Sequence, residues 1–160
     1  MLIDPGKKAP AFTLPDQDGV KHALKDLAGT PVVLFFYPKD DTSGCTAEAC
    51  QFRDQLPDFR KAKAAVFGIS PDSVESHRKF VDKHGLNFTL LADSARDGDD
   101  NPKVCHKYGV WQEKSMYGRK YMGVVRTTYL LDAAGKVAKR WDKVKVPGHA
   151  AEVLAAIREL

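Results

Sequence analysis

A chain of 160 residues is about one domain's worth, long enough to close a hydrophobic core without disulfide staples. Its 43% hydrophobic, 29% charged and 9% aromatic composition excludes wholesale disorder, collagen and coiled coil. The 25 Lys and Arg against 21 Asp and Glu leave +4 spread along the chain, which excludes the clustered basic footprint of a nucleic-acid-binding protein.

In chain order, Ala11–Leu14 and Val20–Leu24 flank Asp18-Gly19 and predict a small hairpin decorating the core. Val32–Tyr37 is a short β-rich apolar run stopped by Pro38, which predicts a central strand buried on both faces. Residues 46–61 place Ala49, Phe52, Leu56 and Phe59 at helical spacing, with Pro57 expected to bend or interrupt the helix. A second strand over 64–70 leads to a helix opened by an Asp72-x-x-Glu75 capping box. Val74, His77, Phe80, Val81 and His84 form its inner face, and Gly85 ends it. That is a βαβ unit.

Phe88–Ala92 predicts a third strand, and Asp93–Lys103 an exposed loop. Thr127–Leu131 and Lys136–Trp141, joined by Asp132-Ala-Ala-Gly135, predict a hairpin, and His149–Leu160 an amphipathic closing helix. A parallel βαβ followed by ββα predicts a mixed α/β sheet flanked by helices, within a single domain over residues 1–160. The longest apolar run is too short for the roughly 20 residues of a membrane span. The first residues lack a secretory signal, so a cytoplasmic chain without a membrane partner is expected. Three cysteines are too few for a structural disulfide framework and point to catalysis or sensing in a reducing compartment.

The informative segment is Phe36-Tyr-Pro-Lys-Asp-Asp-Thr-Ser-Gly-Cys-Thr-Ala-Glu-Ala-Cys50. A buried strand ends, a polar loop follows, and Cys45 opens a helix, the place where α/β sheets gather ligands and catalytic groups. The unpaired N–H groups and partial positive charge of a helix start favour thiolate over thiol. Cys45 is therefore the candidate nucleophile.

Pro38-x-x-x-Thr42-x-x-Cys45 resembles the peroxiredoxin active-site signature. The surrounding residues, through Glu48-Ala-Cys50 and Phe52-Arg53-Asp54, are similar to the peroxiredoxin Q branch, also called bacterioferritin comigratory protein. The resemblance extends over Gly6–Leu14, Gly68-Ile69-Ser70 and Gly123–Asp132, nearly the whole chain. It implies a thioredoxin-like fold, no prosthetic group, and reduction of hydrogen peroxide and organic hydroperoxides by a peroxidatic Cys45. Recycling would fall to thioredoxin or a similar dithiol, and the protein would be a monomer.

The resemblance further implies that Thr42 orients sulfur and peroxide, that Arg126 stabilises the thiolate and the leaving oxygen, and that Pro38 caps the pocket. Glu48 would steady Arg126, Cys50 would resolve the sulfenic acid as an intramolecular disulfide, and Cys105 would stand by. A metal site built from Cys45, Cys50 and Cys105-His106 matches neither zinc nor iron–sulfur spacing, and the Cys-x-x-Cys of a thiol–disulfide oxidoreductase is missing. Five steps along a regular helix separate the Cys45 and Cys50 α-carbons by about 8.6 Å, whereas a disulfide tolerates only about 4.4–6.8 Å. An oxidised state locally unfolded between roughly Gly44 and Arg53 is therefore expected.

Overall fold

All five residues of strand β3, Val32–Phe36, are buried at the centre of a five-stranded sheet. A continuous apolar run requires cover on both faces, and elements packed on either side of the sheet supply it. In the computed structural model, which describes residues 1–160, β4 (Ala65–Ser70) pairs in parallel with β3, and β5 (Thr89–Ala92) with β4. On the other side β8 (Thr127–Leu131) runs antiparallel to β3, and β9 (Val137–Trp141) to β8, giving the order β5-β4-β3-β8-β9. The sheet is mixed, as the sequence predicts.

Alternation along β3 divides the core. Val33, Phe35 and Tyr37 join the buried residues of helices α1 (Ser43–Lys61), α2 (Val74–His84) and α4 (His149–Arg158). Val32, Leu34 and Phe36 join Ala9, Phe12 and Leu14 of the amino-terminal segment and Val104 and Cys105 of the short α3, Lys103–Lys107. Phe35 anchors the first cluster: its ring stacks on Phe52 of α1 with centroids 4.5 Å apart and planes 9° from parallel. Such offset pairs add about 0.5–1.5 kcal/mol beyond the buried area.

Several local expectations change. Helix α1 begins at Ser43, so Cys45 lies inside its first turn, and it runs unbroken through Pro57. Pro57 has no N–H for the Arg53 carbonyl, and Asn87 Nδ2 supplies the missing donor at 3.1 Å. The cap of α2 is Ser73, whose Oγ accepts from Ser76 N at 3.1 Å, not Asp72. Asp72 is occupied elsewhere: its Oδ2 accepts from Asp40 N at 2.8 Å and Ser70 Oγ at 2.6 Å.

The amino-terminal hairpin forms as β1 (Thr13–Pro15) and β2 (Lys21–Ala23). Two elements had no sequence expectation. Asp93 accepts from Val104 N and Cys105 N, at 3.0 and 2.7 Å, and so opens α3 at Lys103, the last residue of the predicted loop. A second hairpin, β6 (Trp111–Met116) and β7 (Arg119–Val124), turns at Tyr117 and Gly118, both with positive φ. Most of its side chains are exposed, which erases the apolar alternation that marks a half-buried strand.

Gly68 in β4 is demanded by packing. A Cβ there would lie 2.7 Å from Phe35 Cζ and 2.8 Å from Leu90 Cδ2. Gly68→Ala is expected to cost about 1–3 kcal/mol by overpacking, read as a lower denaturation midpoint; an unchanged midpoint would contradict the packing.

Candidate active site

The antiparallel register of β3 and β8 brings the site together. Phe36, near the end of β3, lies opposite Thr127, at the start of β8. Arg126 therefore enters the sheet at the edge where β3 hands over to the 38–42 loop and to the amino terminus of α1. Two segments some eighty residues apart in sequence meet there because one strand ends where its antiparallel neighbour begins.

Cys45 is the third residue of α1 and is only 2% exposed. Its Sγ accepts from Arg126 Nη2 at 3.2 Å, and Arg126 Nη1 donates to Glu48 Oε1 at 2.8 Å. The first-turn N–H groups of α1 add the positive end of the helix dipole beside the sulfur. Glu48 sits one turn after Cys45 with no exposed surface. Burial pushes its carboxyl up to about 7 against the pull of Arg126. Only Oε1 is bonded; Oε2 is buried without a partner.

Gly44 makes room for the guanidinium, since a Cβ at that position would stand 3.1 Å from Arg126 Nη2. Lys114 of β6 is a second nearby cation. Its Nζ donates to the Val124 carbonyl at 3.0 Å, and its pKa is pulled down by burial and by Arg126, with the Cys45 sulfur opposing. Behind the arginine, His149 Nε2 and Thr128 Oγ1 lie 2.7 Å apart. Burial, reinforced by Arg126, drives His149 down to about 4. Gly44 stands within the motif that carries the peroxiredoxin Q resemblance, whereas Lys114 and His149 lie outside it and no local pattern ties either of them to the cysteine.

The other expected residues take distinct places. Thr42 is the residue before α1, but its hydroxyl does not cap the helix; Oγ1 donates to the Lys39 carbonyl at 2.9 Å. That bond uses the hydroxyl proton and leaves oxygen lone pairs open. No hydrogen bond joins Thr42 to Cys45 Sγ. Pro38 is half-buried at the start of the same loop. Cys50 is a half-buried free thiol on α1, in unbroken helix with Cys45.

Cys105 has no exposed surface and belongs to the core on the opposite face of the sheet from Cys45. Burial, with Asp93 beside it, pushes its thiol well up. The sheet thus separates the two cysteines that a shared metal site would need.

His149 generates a pH prediction. The unfolded chain, titrating near 6.5, binds the proton before the folded chain, held near 4, as pH falls. Stability contributed by neutral His149 is complete above about pH 6.5 and is lost as pH drops toward 4. His149→Gln removes the titration and is expected to flatten the stability profile in that window; an unchanged acid slope would place the loss elsewhere.

A buried sulfur bonded to a permanent cation at a helix start can act as a nucleophile shielded from water. The company the chain keeps agrees with that chemistry. The sequence profile of the AhpC/TSA family matches residues 5–140. The chain is 50% identical over 157 residues to a putative peroxiredoxin bcp of Coxiella burnetii, covering 98% of this chain and 100% of that one. It is 44% identical over 160 residues to peroxiredoxin Bcp of Bacillus subtilis, covering 100% and 98%. The solved structure of the Xanthomonas campestris bacterioferritin comigratory protein, described for its alkyl peroxide reduction activity, superposes with a TM-score of 0.86 at 41% identity over 98% of each chain. The chain accordingly belongs to the AhpC/TSA family, among the Bcp or peroxiredoxin Q peroxiredoxins, which are thiol-dependent peroxidases of thioredoxin-like fold.

Proposed function

We propose that Cys45 is the peroxidatic cysteine of this peroxidase and Cys50 its resolving partner. The observation that carries the reading is the 3.2 Å hydrogen bond from Arg126 to a sulfur only 2% exposed. The Cys45 thiolate attacks the terminal peroxide oxygen: an S–O bond forms, the O–O bond breaks, and hydroxide or alkoxide leaves and takes a proton from water. Arg126 stabilises the charge at both ends of that displacement. Thr42 Oγ1, its own proton committed to Lys39, accepts from the peroxide O–H. Pro38 shields the pocket without adding a backbone donor.

Resolution follows on the sulfenic acid. The Cys50 sulfur attacks Cys45 Sγ, an S–S bond forms, the S–O bond breaks, and water leaves. A thioredoxin-type dithiol then reduces the disulfide. The alkyl peroxide reduction of the Xanthomonas relative supports organic hydroperoxides as substrates alongside hydrogen peroxide. We take the chain to work as a single domain over 1–160, monomeric and cytoplasmic, with neither nucleic acid nor membrane as partner. No helix is long and apolar enough to cross a membrane.

The disulfide requires α1 to open. Cys45 and Cys50 lie on one unbroken helix, where five steps hold their α-carbons about 8.6 Å apart, beyond the roughly 4.4–6.8 Å of a disulfide. Unwinding from Gly44 meets resistance at Phe52, fully buried and stacked on Phe35. Exposing such a side chain costs about 1.5–3 kcal/mol. The opened segment should therefore end just before it.

Two measurements test this scheme. Cys45→Ser should abolish thioredoxin-dependent peroxide turnover, and Arg126→Met should slow Cys45 alkylation at neutral pH by about 10- to 100-fold, the loss of one charge-assisted hydrogen bond of roughly 1.5–3 kcal/mol. Turnover by Cys45→Ser, or unaltered alkylation of Arg126→Met, would overturn the assignments. Amide hydrogen exchange should show residues 46–51, whose N–H groups are bonded in the helix from Thr46 onward, protected in the reduced protein and open in the disulfide form; equal protection would show that no unwinding accompanies the bond.

A further inference from the structure

A buried polar cluster fastens the 38–42 loop to the rest of the fold, and none of its members takes part in the chemistry above. Asp40 is 8% exposed. Its Oδ1 accepts from Tyr37 Oη at 2.6 Å, and its Oδ2 accepts from Ser76 Oγ at 2.7 Å while facing His77 Nδ1 at 2.7 Å. His77 has no exposed surface, and its Nε2 lies 2.9 Å from the Leu91 carbonyl. A carbonyl only accepts, so Nε2 carries a proton. Nδ1 faces a carboxylate oxygen, so a second proton lies between Nδ1 and Oδ2. Together His77 and Asp40 are neutral, which lets the pair remain buried.

The backbone is fastened as well as the side chain. Asp40 N donates to Asp72 Oδ2 at 2.8 Å, in the connection between β4 and α2. Asp41, next in the loop, holds a left-handed φ of 59° and pairs with Lys83 at 2.7 Å. The carboxylates of Asp40 and Asp72 and the imidazole of His77 converge closely enough to suggest a metal ion. Asp40 Oδ2, Asp72 Oδ2 and His77 Nδ1 are nevertheless all spent on one another and on Ser70, Ser76 and Asp40 N. The cluster is a strut.

We infer that His77 is a positioning residue for the peroxidase reaction: acting through Asp40, it holds the loop so that Pro38 and Thr42 meet the peroxide beside Cys45. The inference rests on the proposed roles of Cys45, Thr42 and Pro38. Arg126 and the first turn of α1, which stabilise the sulfur, reach it from β8 and from the helix itself and not through Asp40. Loosening the strut therefore separates two properties, since alignment of the peroxide suffers while reactivity of the sulfur toward a simple electrophile survives. In-line displacement is sensitive to displacements of an ångström, which cost up to about 100-fold.

The test compares, on the full reduced chain, the second-order rate with hydrogen peroxide and the rate of Cys45 alkylation by iodoacetamide at the same pH. His77→Leu is expected to lose about 100-fold toward peroxide while alkylation stays near the wild-type rate. His77→Asn, which restores a donor toward Asp40, is expected to recover most of the loss. Ser76→Ala cuts only the Ser76–Asp40 bond at a half-buried position; it keeps the test open if His77→Leu does not fold, and is expected to lose about tenfold toward peroxide alone. A parallel fall in both rates, or a peroxide rate unchanged in Ser76→Ala and His77→Asn without loss in His77→Leu, would overturn the positioning role. Wild-type Cys45 that alkylates but does not react with peroxide would instead overturn the peroxidatic reading beneath it.

Discussion

The site turns on one guanidinium. Arg126 is half-buried and must find hydrogen-bond acceptors for a charge it cannot lose, and it finds two: Glu48 Oε1 at 2.8 Å and Cys45 Sγ at 3.2 Å. Both lie on the first two turns of α1, three residues apart on one helical face. The arginine is delivered by the antiparallel register of β3 and β8. The mixed sheet is thus part of the chemistry: an all-parallel sheet would start its neighbouring strand at the opposite edge and carry this side chain away from the cysteine.

The same contacts make α1 both ordered and ready to open. Glu48 contributes a hydrogen bond through Oε1 but leaves Oε2 buried and unpaired, a defect of about 1–3 kcal/mol. Burial favours its protonated form, with a carboxyl near 7. Unwinding the first turns returns that carboxyl to water and recovers the penalty, in part offsetting the helical hydrogen bonds that are lost. Beyond it, Phe52 on Phe35 marks where the rest of the helix stays bound to the core. A weak leading segment on a firmly packed helix is the mechanical arrangement that a disulfide between positions 45 and 50 demands.

How much was legible in the sequence follows from what each residue answers to. Strand β3, the βαβ unit, the β8–β9 hairpin and α4 answer to burial, and their apolar periodicity shows it. The β6–β7 hairpin and α3 were unreadable because one is largely exposed and the other is started by Asp93, ten residues before it. Cys45 was legible from its place after a buried strand, while the roles expected of Thr42, Pro38, Arg126 and Cys50 came from resemblance, since their individual residue types are commonplace. The pairing of Arg126 with Glu48 depends on strand register, which no local pattern encodes. His77 read as a residue on the inner face of α2, which it is, but its bond to Asp40, thirty-seven residues away, emerges only in three dimensions.

Which sulfurs pair on oxidation decides the chemistry most directly. Reduced protein treated with one equivalent of hydrogen peroxide, alkylated and mapped by peptide mass should show a single disulfide between Cys45 and Cys50, with Cys105 alkylated only after unfolding. A disulfide containing Cys105, or Cys45 accumulating as sulfinic acid while Cys50 remains a free thiol, would contradict it.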